Sequence, residues 1–210
     1  MLKKYLRQIK SKEFINKLIL NFEKHSYKVF WEFSDTKNQN VGEYIKDDPC
    51  GIGAAIGKLF ERIFKLTCDD FKIPCKRINA KDADFLIDET RFEIKTARDV
   101  NGLYFMGSGV KNQGHKKCGN YILIGYKFDN NKIVSHKSLN RKLFINLFYS
   151  VSVNIIKTRH WVNTSGKTFI LRFPNNIFNR INKNIILGSV TKGKGKLKIL
   201  KFLPESLFGD

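Results

Sequence analysis

The sequence predicts a mixed α/β fold, in which helices flank a central mixed β-sheet. Three patterns lead to this prediction: apolar residues at helical spacing near the N-terminus, a β-hairpin pattern around residue 90, and an apolar strand pattern over residues 120–127. Strands lie next to helices in the sequence, but no repeated βαβ unit is present. This combination favours helices packed around one mixed sheet.

Two helical regions precede the strands. Apolar residues recur at helical intervals over residues 2–25, with lysines between them, which predicts one or two amphipathic helices. Residues 34–51 are polar and contain Pro49 and Gly51, so a loop is expected there. Residues 51–64 then predict a helix, whose small residues near its start allow close packing on a sheet or on another helix.

The hairpin pattern consists of an apolar strand opened by an aspartate, a tight turn, and a second strand containing Glu-x-Lys. A turn at Glu89 and Thr90 would pair Asp84 with Lys95. Because side chains alternate along a strand, Asp84, Glu93 and Lys95 would then share one face. The opposite face would be uniformly apolar, with Phe85, Ile87, Phe92 and Ile94. A slip by one residue would bury a charge on that apolar face.

The remaining chain predicts alternating loops and strands. A glycine-, lysine- and asparagine-rich segment suggests a loop over residues 96–119, followed by the strand at 120–127. The later predictions are a turn at 129–131 leading into 132–136, a helix at 141–153, a strand at 167–173 ended by Pro174, and a short hairpin or flexible arm within 179–204.

The charge of the chain is strongly asymmetric. The 210 residues include 39 Lys and Arg against 19 Asp and Glu, a net charge of +20. Residues 1–99 carry 20 basic and 16 acidic residues, whereas residues 100–210 carry 19 basic and 3 acidic ones. A lysine-rich composition alone would raise lysine everywhere and would not remove acids from one half. The second half therefore predicts a polyanionic partner, and nucleic acid is favoured over a merely basic surface or an anionic membrane.

The cysteines and the hydropathy pattern indicate a setting in the cytoplasm. The four cysteines are irregularly spaced, and the N-terminus does not resemble a cleaved secretory signal. Apolar runs are too short to span a bilayer, so no membrane association is expected. The cysteines are then most simply buried as small apolar side chains. A zinc site from His115 and Cys118 with Cys68 and Cys75 is disfavoured by its spacing.

Glu61 completes a candidate acidic cluster. It lies inside the helix predicted over residues 51–64, on a face shared with Gly57 and Phe64. An exposed position beside Arg62 and Lys65 is the alternative. If Glu61 is buried, its carboxylate needs a partner. A metal held by the neighbouring hairpin would supply one.

The combination of Glu61, Asp84 and Glu93-Ile94-Lys95 resembles the PD-(D/E)xK nuclease superfamily, most closely type II restriction endonucleases. The resemblance covers roughly residues 51–126, and Ala83 stands where the family has proline. It implies a restriction-endonuclease-like core, with Asp84 and Glu93 as metal ligands, Lys95 as the catalytic lysine, and Glu61 as the acid from an upstream helix. It also implies hydrolysis that leaves 5′-phosphate and 3′-hydroxyl ends.

These residue types suit phosphodiester hydrolysis. Mg²⁺ prefers oxygen ligands and keeps several waters, so two carboxylates and a phosphate oxygen can seat it. A lysine beside the acids can orient a water or stabilise developing negative charge. Asp82 and Asp88 are alternatives to Asp84: Asp82 as a nearby or alternate ligand, Asp88 as a turn residue with a local backbone role.

Two basic segments are candidates for DNA contact, because they combine phosphate-binding cations with amides able to read base edges. The first comprises Lys111, Asn112, Gln113, His115, Lys116 and Lys117. The second comprises Lys157, Arg159, His160, Trp161, Asn163 and Thr164. The glycines between Phe105 and His115 do not match a P-loop, so no ATP is expected.

Together these patterns predict one nuclease domain over residues 1–210: an N-terminal helical region at 1–50, a catalytic core at 51–135 and a basic DNA-binding region at 136–210. The expected function is that of a Mg²⁺-dependent, sequence-specific endonuclease of double-stranded DNA, a type II restriction enzyme acting as a homodimer. A repair nicking enzyme or junction resolvase of the same superfamily is the nearest alternative. A non-catalytic nucleic-acid-binding module, whose carboxylates pair only with lysines, is the alternative from another class.

Overall fold

The residues that the structure describes include three helices, which pack beside the strands. The computed structural model describes residues 1–30, 49–78, 83–99, 103–108, 120–128, 139–148, 167–173, 184–191 and 197–204. The helices are α1 (Leu2–Ile9), α2 (Lys12–Phe30) and α3 (Pro49–Asp70). The first two confirm the amphipathic helices predicted near the N-terminus. The third begins inside the predicted loop and continues past residue 64, so both predicted boundaries of that helix were wrong.

A five-stranded mixed sheet follows α3 in the sequence. Its strands are β1 (Cys75–Arg77), β2 (Phe85–Ile87), β3 (Thr90–Arg98), β5 (Tyr121–Phe128) and β6 (Leu139–Phe148), in the spatial order β1-β2-β3-β5-β6. β3 and β5 are parallel, and every other neighbouring pair is antiparallel. Helices together with a mixed sheet confirm the predicted α/β class.

The remaining described strands form a second, four-stranded antiparallel sheet. They are β4 (Leu103–Ser108), β7 (Lys167–Phe173), β8 (Asn184–Thr191) and β9 (Leu197–Pro204), in the order β4-β7-β8-β9. The strand predicted at 167–173 is confirmed. The pairing of β8 with β9 confirms a hairpin within residues 179–204.

Two predictions of local structure were wrong. Residues 141–148 of the segment predicted as a helix at 141–153 belong to β6, because alternate residues Leu143 and Ile145 are buried and the strand pairs with β5, while residues 149–153 lie outside the described residues. A short apolar run fits both helical and strand spacing, and tertiary pairing decides between them. The loop predicted at 96–119 is interrupted by β4, whose alternate residues Leu103 and Phe105 are buried. The turn at 129–131 and the segment 132–136 lie outside the described residues.

Helix α3 packs across one face of the five-stranded sheet. Phe64 contacts Phe85 of β2 with ring centroids 5.7 Å apart, and Phe60 contacts Tyr126 of β5 at 5.2 Å. A Cβ placed on Gly57 would lie 3.4 Å from Thr96 Oγ1 of β3, so the helix passes close to that strand. These contacts place the Glu61 turn of α3 beside the sheet.

A buried polar contact joins α2 to α3. Asn21 is 8% exposed, and its Nδ2 donates to Thr67 Oγ1 and to Asp70 Oδ2, both at 3.0 Å. The hydrogen bond from Asn21 lowers the pKa of the Asp70 carboxyl, and Lys17 acts in the same direction. The contact therefore supports the packing of the two helices most fully when Asp70 is ionised.

The opposite face of the sheet is covered in part by β4. Leu103 is fully buried, and a Cβ placed on Gly125 of β5 would overlap Leu103 Cδ1 and lie 3.0 Å from its Cδ2. The absence of a side chain at Gly125 is therefore what admits Leu103. This face also carries Glu93 and Lys95, because side chains alternate along β3 and Ile94 belongs to the helix-side core.

Gly125→Ala is expected to destabilise the protein by about 1–3 kcal/mol, because the new methyl group overpacks the space that Leu103 fills. Leu103→Ala alone is expected to cost about 2–5 kcal/mol through the cavity that it leaves. In the double variant the two changes compensate, so its loss should be smaller than the sum. Denaturant unfolding of all four proteins measures this coupling. Strictly additive losses would show that the two residues do not share this space.

Two cysteines lie together in the core, as expected for small apolar side chains. Cys68 of α3 and Cys75 of β1 are both buried and free. Burial raises the pKa of the Cys68 thiol, and the neighbouring Cys75 adds to the effect.

Among the helices that the structure describes, none has the length and apolar character needed to cross a bilayer.

Candidate active site

The hairpin of β2 and β3 has its turn at Asp88 and Glu89, one residue earlier than predicted. Ile87 pairs with Thr90, and both turn residues have positive φ, 46° and 61°. This conformation matches the tight turns that suit the twist of a two-stranded hairpin, and aspartate tolerates it better than most residues. The predicted register was therefore wrong.

The two faces of the hairpin nevertheless agree with the prediction. The pairing differs from the predicted one by two residues, and a shift of two leaves every side chain on its original face. Phe85 pairs with Phe92, and the buried residues of the apolar face are Phe85, Ile87, Phe92 and Ile94. The polar residues are consequently kept together on the other side of the hairpin.

Asp84 is fixed at the start of β2 by hydrogen bonds to its backbone and its side chain. Its N–H donates to Phe92 O at 2.9 Å, and its carbonyl accepts from Ile78 N at 2.8 Å. Its carboxylate Oδ2 accepts from Ile94 N at 2.9 Å. The Asp84 carboxylate therefore lies against the backbone segment that links Glu93 to Lys95.

Glu93 and Lys95 form an ion pair on β3. Glu93 is 5% exposed, and one of its carboxylate oxygens contacts Lys95 Nζ. The strand is held at this point by β5, since Glu93 N donates to Asn120 O at 2.9 Å. Asn120 also donates from Nδ2 to Arg91 O at 2.9 Å. No role for Asn120 is predicted from the sequence, although its position directly before an apolar strand suggests that it could hold the start of that strand.

Glu61 belongs to α3. It is 7% exposed, so it is buried and does not lie on the solvent-facing side of the helix. Its Oε1 accepts from Lys58 Nζ at 2.7 Å, and its Oε2 accepts from Arg77 Nη2 at 3.2 Å. Lys58 and Arg77 are themselves largely exposed. Both partners were missed from sequence, because Arg77 lies on β1, a three-residue strand with no clear pattern, and Lys58 resembles any surface lysine.

The pKa of Asp84 reflects the groups around it. Burial raises the pKa of the Asp84 carboxyl, the hydrogen bond from Ile94 lowers it, the charges of Glu61 and Glu93 raise it, and Lys95 lowers it. The hydrogen bond from Ile94 to Asp84 and the ion pair of Glu93 with Lys95 hold these three side chains at neighbouring positions of the hairpin. Glu61 acts on Asp84 through its charge, while its own hydrogen bonds go to Lys58 and Arg77.

The donor chemistry of this cluster suits a hard divalent cation. Asp84 and Glu93 supply carboxylate oxygens, which are the ligands that Mg²⁺ prefers. Within the described ranges, no group of three or more His, Cys, Asp or Glu side chains is already arranged to hold a metal ion. Glu61 and Glu93 instead hold lysine and arginine side chains. Binding of Mg²⁺ by Asp84 and Glu93 would therefore require Lys95 to shift.

Other candidate residues fall outside this cluster or outside the described residues. Asp88 lies in the hairpin turn, where its backbone conformation accounts for it. Asp82 lies outside the described residues, as do all the candidate DNA contacts: Lys111, Asn112, Gln113, His115, Lys116, Lys117, Lys157, Arg159, His160, Trp161, Asn163 and Thr164. His115 and Cys118 of the disfavoured zinc site are also outside them.

Comparison with known proteins adds no relative to this description. No protein-family model matches the sequence, and a search of curated proteins finds no similar sequence. The function of the protein is therefore inferred from the chemistry of the cluster itself.

Proposed function

We propose that this protein is a Mg²⁺-dependent endonuclease of double-stranded DNA, with a PD-(D/E)xK type of active site. The observation that carries the proposal is the placement of Asp84, Glu93 and Lys95 at neighbouring positions where β2 meets β3, with the charge of Glu61 on α3 acting on Asp84. The excess of basic over acidic residues beyond residue 100 supports a polyanionic substrate.

Each residue has a distinct role in this proposal. Asp84 and Glu93 would hold the metal, and Glu61 would add negative charge that acts on Asp84. Bound Mg²⁺ supplies polarisation of the phosphate and a water of lowered pKa. Lys95, freed from Glu93, donates hydrogen bonds from Nζ to the water or to a phosphate oxygen and offsets the developing negative charge. Water adds to phosphorus and the bond between phosphorus and O3′ breaks, so that O3′ leaves as the 3′-hydroxyl and the phosphate stays on the 5′ end.

Arg77 and Lys58 are suited to a supporting role. Both side chains are more than half exposed, yet each holds one oxygen of the buried Glu61. They therefore fix the orientation of Glu61 from the solvent side. In the proposed enzyme they keep this carboxylate from moving when the substrate phosphate arrives.

Sequence-specific restriction by a homodimer is the finer part of the proposal. One active site per chain cuts one strand, so cutting both strands at one place calls for two copies related by two-fold symmetry. A non-catalytic nucleic-acid-binding module is a second candidate. The ion pairs of Glu93 with Lys95 and of Glu61 with Lys58 and Arg77 favour it, because each of these carboxylates already has a cation.

Incubation of the purified protein with supercoiled plasmid and Mg²⁺ separates these functions. Discrete linear fragments with 5′-phosphate ends are expected for a restriction enzyme. Nicked circles would indicate a repair nicking enzyme instead of a restriction enzyme. A preference for branched DNA would indicate a junction resolvase. Retarded plasmid without any broken strand would contradict the nuclease proposal and support the binding module. A matched reaction with EDTA in place of Mg²⁺ is the control.

A further inference from the structure

Every charged side chain of helix α1 is basic. The first twelve residues contain five basic side chains and no acidic one. Lys3, Lys4 and Arg7 are exposed, and Lys3 and Arg7 lie one helical turn apart, with a rise of about 6 Å between them. Like charges at this spacing repel each other on an isolated helix. A polyanion lying along the helix would relieve that repulsion.

The charges on α1 differ from those on the other two helices. Several lysines of α2 and α3 are matched to carboxylates: Lys17 to Asp70, Lys58 to Glu61, and Lys65 to Asp69. For Lys3, Lys4 and Arg7, no salt bridge to any described residue is found. These three cations are therefore presented to solvent without a carboxylate from the described part of the protein.

The apolar side of α1 is used inside the protein. Leu6 and Ile9 are 3% and 0% exposed and belong to the core, and Leu2 and Tyr5 pack against it. An amphipathic helix that binds a membrane inserts its apolar face among the acyl chains. Because the apolar face of α1 is already buried, only the cationic face is presented. Phosphate groups along a nucleic acid fit this face better than a bilayer does.

We infer that the exposed face of α1 formed by Lys3, Lys4 and Arg7 is a binding surface for the phosphate backbone of duplex DNA. The inference rests on the proposed function only in taking DNA as the polyanion. The surface carries no sequence information, since contacts to phosphates position a protein without reading bases. It adds a described surface to the two candidate segments of the sequence.

The salt dependence of DNA binding tests this surface. Binding of the full-length protein to a short duplex is measured in EDTA, between about 50 and 200 mM salt. The triple variant Lys3→Gln, Lys4→Gln, Arg7→Gln should reduce the slope of log K against log salt by about 2 to 3, since each phosphate contact contributes about 0.9. The charge-preserving variant Lys3→Arg, Lys4→Arg, Arg7→Lys should keep the wild-type slope.

A matched control removes the same charge elsewhere. The variant Lys24→Gln, Arg62→Gln, Lys72→Gln changes three exposed residues of the described helices and the following turn. It should lower the slope by less than about 1. Equal slopes for the two glutamine variants would overturn the inference, as would loss of binding to phosphatidylserine vesicles with unchanged DNA binding.

Cutting is measured separately with Mg²⁺, so the two proposals fail independently. DNA cutting together with equal slopes would overturn the α1 surface and leave the nuclease intact. A reduced slope for the α1 variant, with no cutting by any of the proteins, would leave the surface and overturn the nuclease.

Discussion

Asp84→Asn is expected to abolish DNA cutting while leaving DNA binding intact. The change removes the charge that would hold Mg²⁺ but keeps an oxygen that can accept the hydrogen bond from Ile94 N. The loss of cutting should be on the order of a thousandfold, similar to the loss of a major electrostatic contribution in other active sites. Single-turnover cleavage and gel retardation in EDTA measure the two properties separately.

The same variant should be at least as stable as the wild type at neutral pH. The pKa of Asp84 is raised in the folded protein, so the folded state binds more protons than the unfolded state between pH 3.8 and the raised pKa. Stability contributed by this group therefore falls as the pH rises through that window and stays low above it. Asparagine removes this penalty, so the advantage of the variant should shrink as the pH is lowered.

A matched control is Asp69→Asn, which removes a carboxylate that is exposed and paired with Lys65 on α3. It should leave both cutting and the pH dependence of stability close to those of the wild type. Cutting that survives Asp84→Asn would remove the assigned role of Asp84. A large loss of stability at neutral pH would show that its charge supports the fold.

Lys95→Met is expected to be both inactive and less stable. The change leaves the buried Glu93 carboxylate without this cation, which should cost about 2 kcal/mol of unfolding free energy. That is below the roughly 3–5 kcal/mol for breaking a fully buried pair, because the Lys95 side chain is 29% exposed. Cutting should fall by about a hundredfold or more, since Lys95 offsets charge that develops at the phosphate.

The double variant Lys95→Met, Glu93→Gln separates the structural role of the pair from its catalytic role. Neutralising both residues removes the unpaired charge, so much of the lost stability should return. Cutting should remain absent, because neither residue can then serve. Denaturant unfolding and cleavage assays on the two single variants and the double variant complete the cycle. Restored cutting in the double variant would mean that the pair is purely structural.

The polar face of the hairpin could be predicted from sequence because it depends only on the alternation of side chains between the two faces of a strand, which has a period of two residues. Alternation along a strand puts Glu93 and Lys95 on one face whatever the exact register. The turn itself was misplaced by one residue, because Asp88-Glu89 and Glu89-Thr90 are both plausible turns by composition. The pairing of Ile87 with Thr90 and the positive φ values at Asp88 and Glu89 distinguish them.

Features that depend on distant segments were not predictable in the same way. The helical spacing of Glu61 relative to Gly57 and Phe64 leaves both burial and exposure open, and its partner Arg77 lies sixteen residues further along the chain. The apolar residues of β6 fit helical and strand spacing alike, and pairing with β5 decides the outcome. Local sequence patterns therefore predict which face of a helix or strand a residue lies on, whereas the partner of that residue or strand depends on tertiary packing.

Binding of Mn²⁺ as a reporter for Mg²⁺, followed by electron paramagnetic resonance on the protein without DNA, tests the central claim most directly. Mn²⁺ favours the same oxygen ligands. The wild type and Asp69→Asn should bind the ion, whereas Asp84→Asn and Glu93→Gln should bind it at least about tenfold more weakly. Equal affinity in all four proteins would show that the acids of β2 and β3 do not form a metal site.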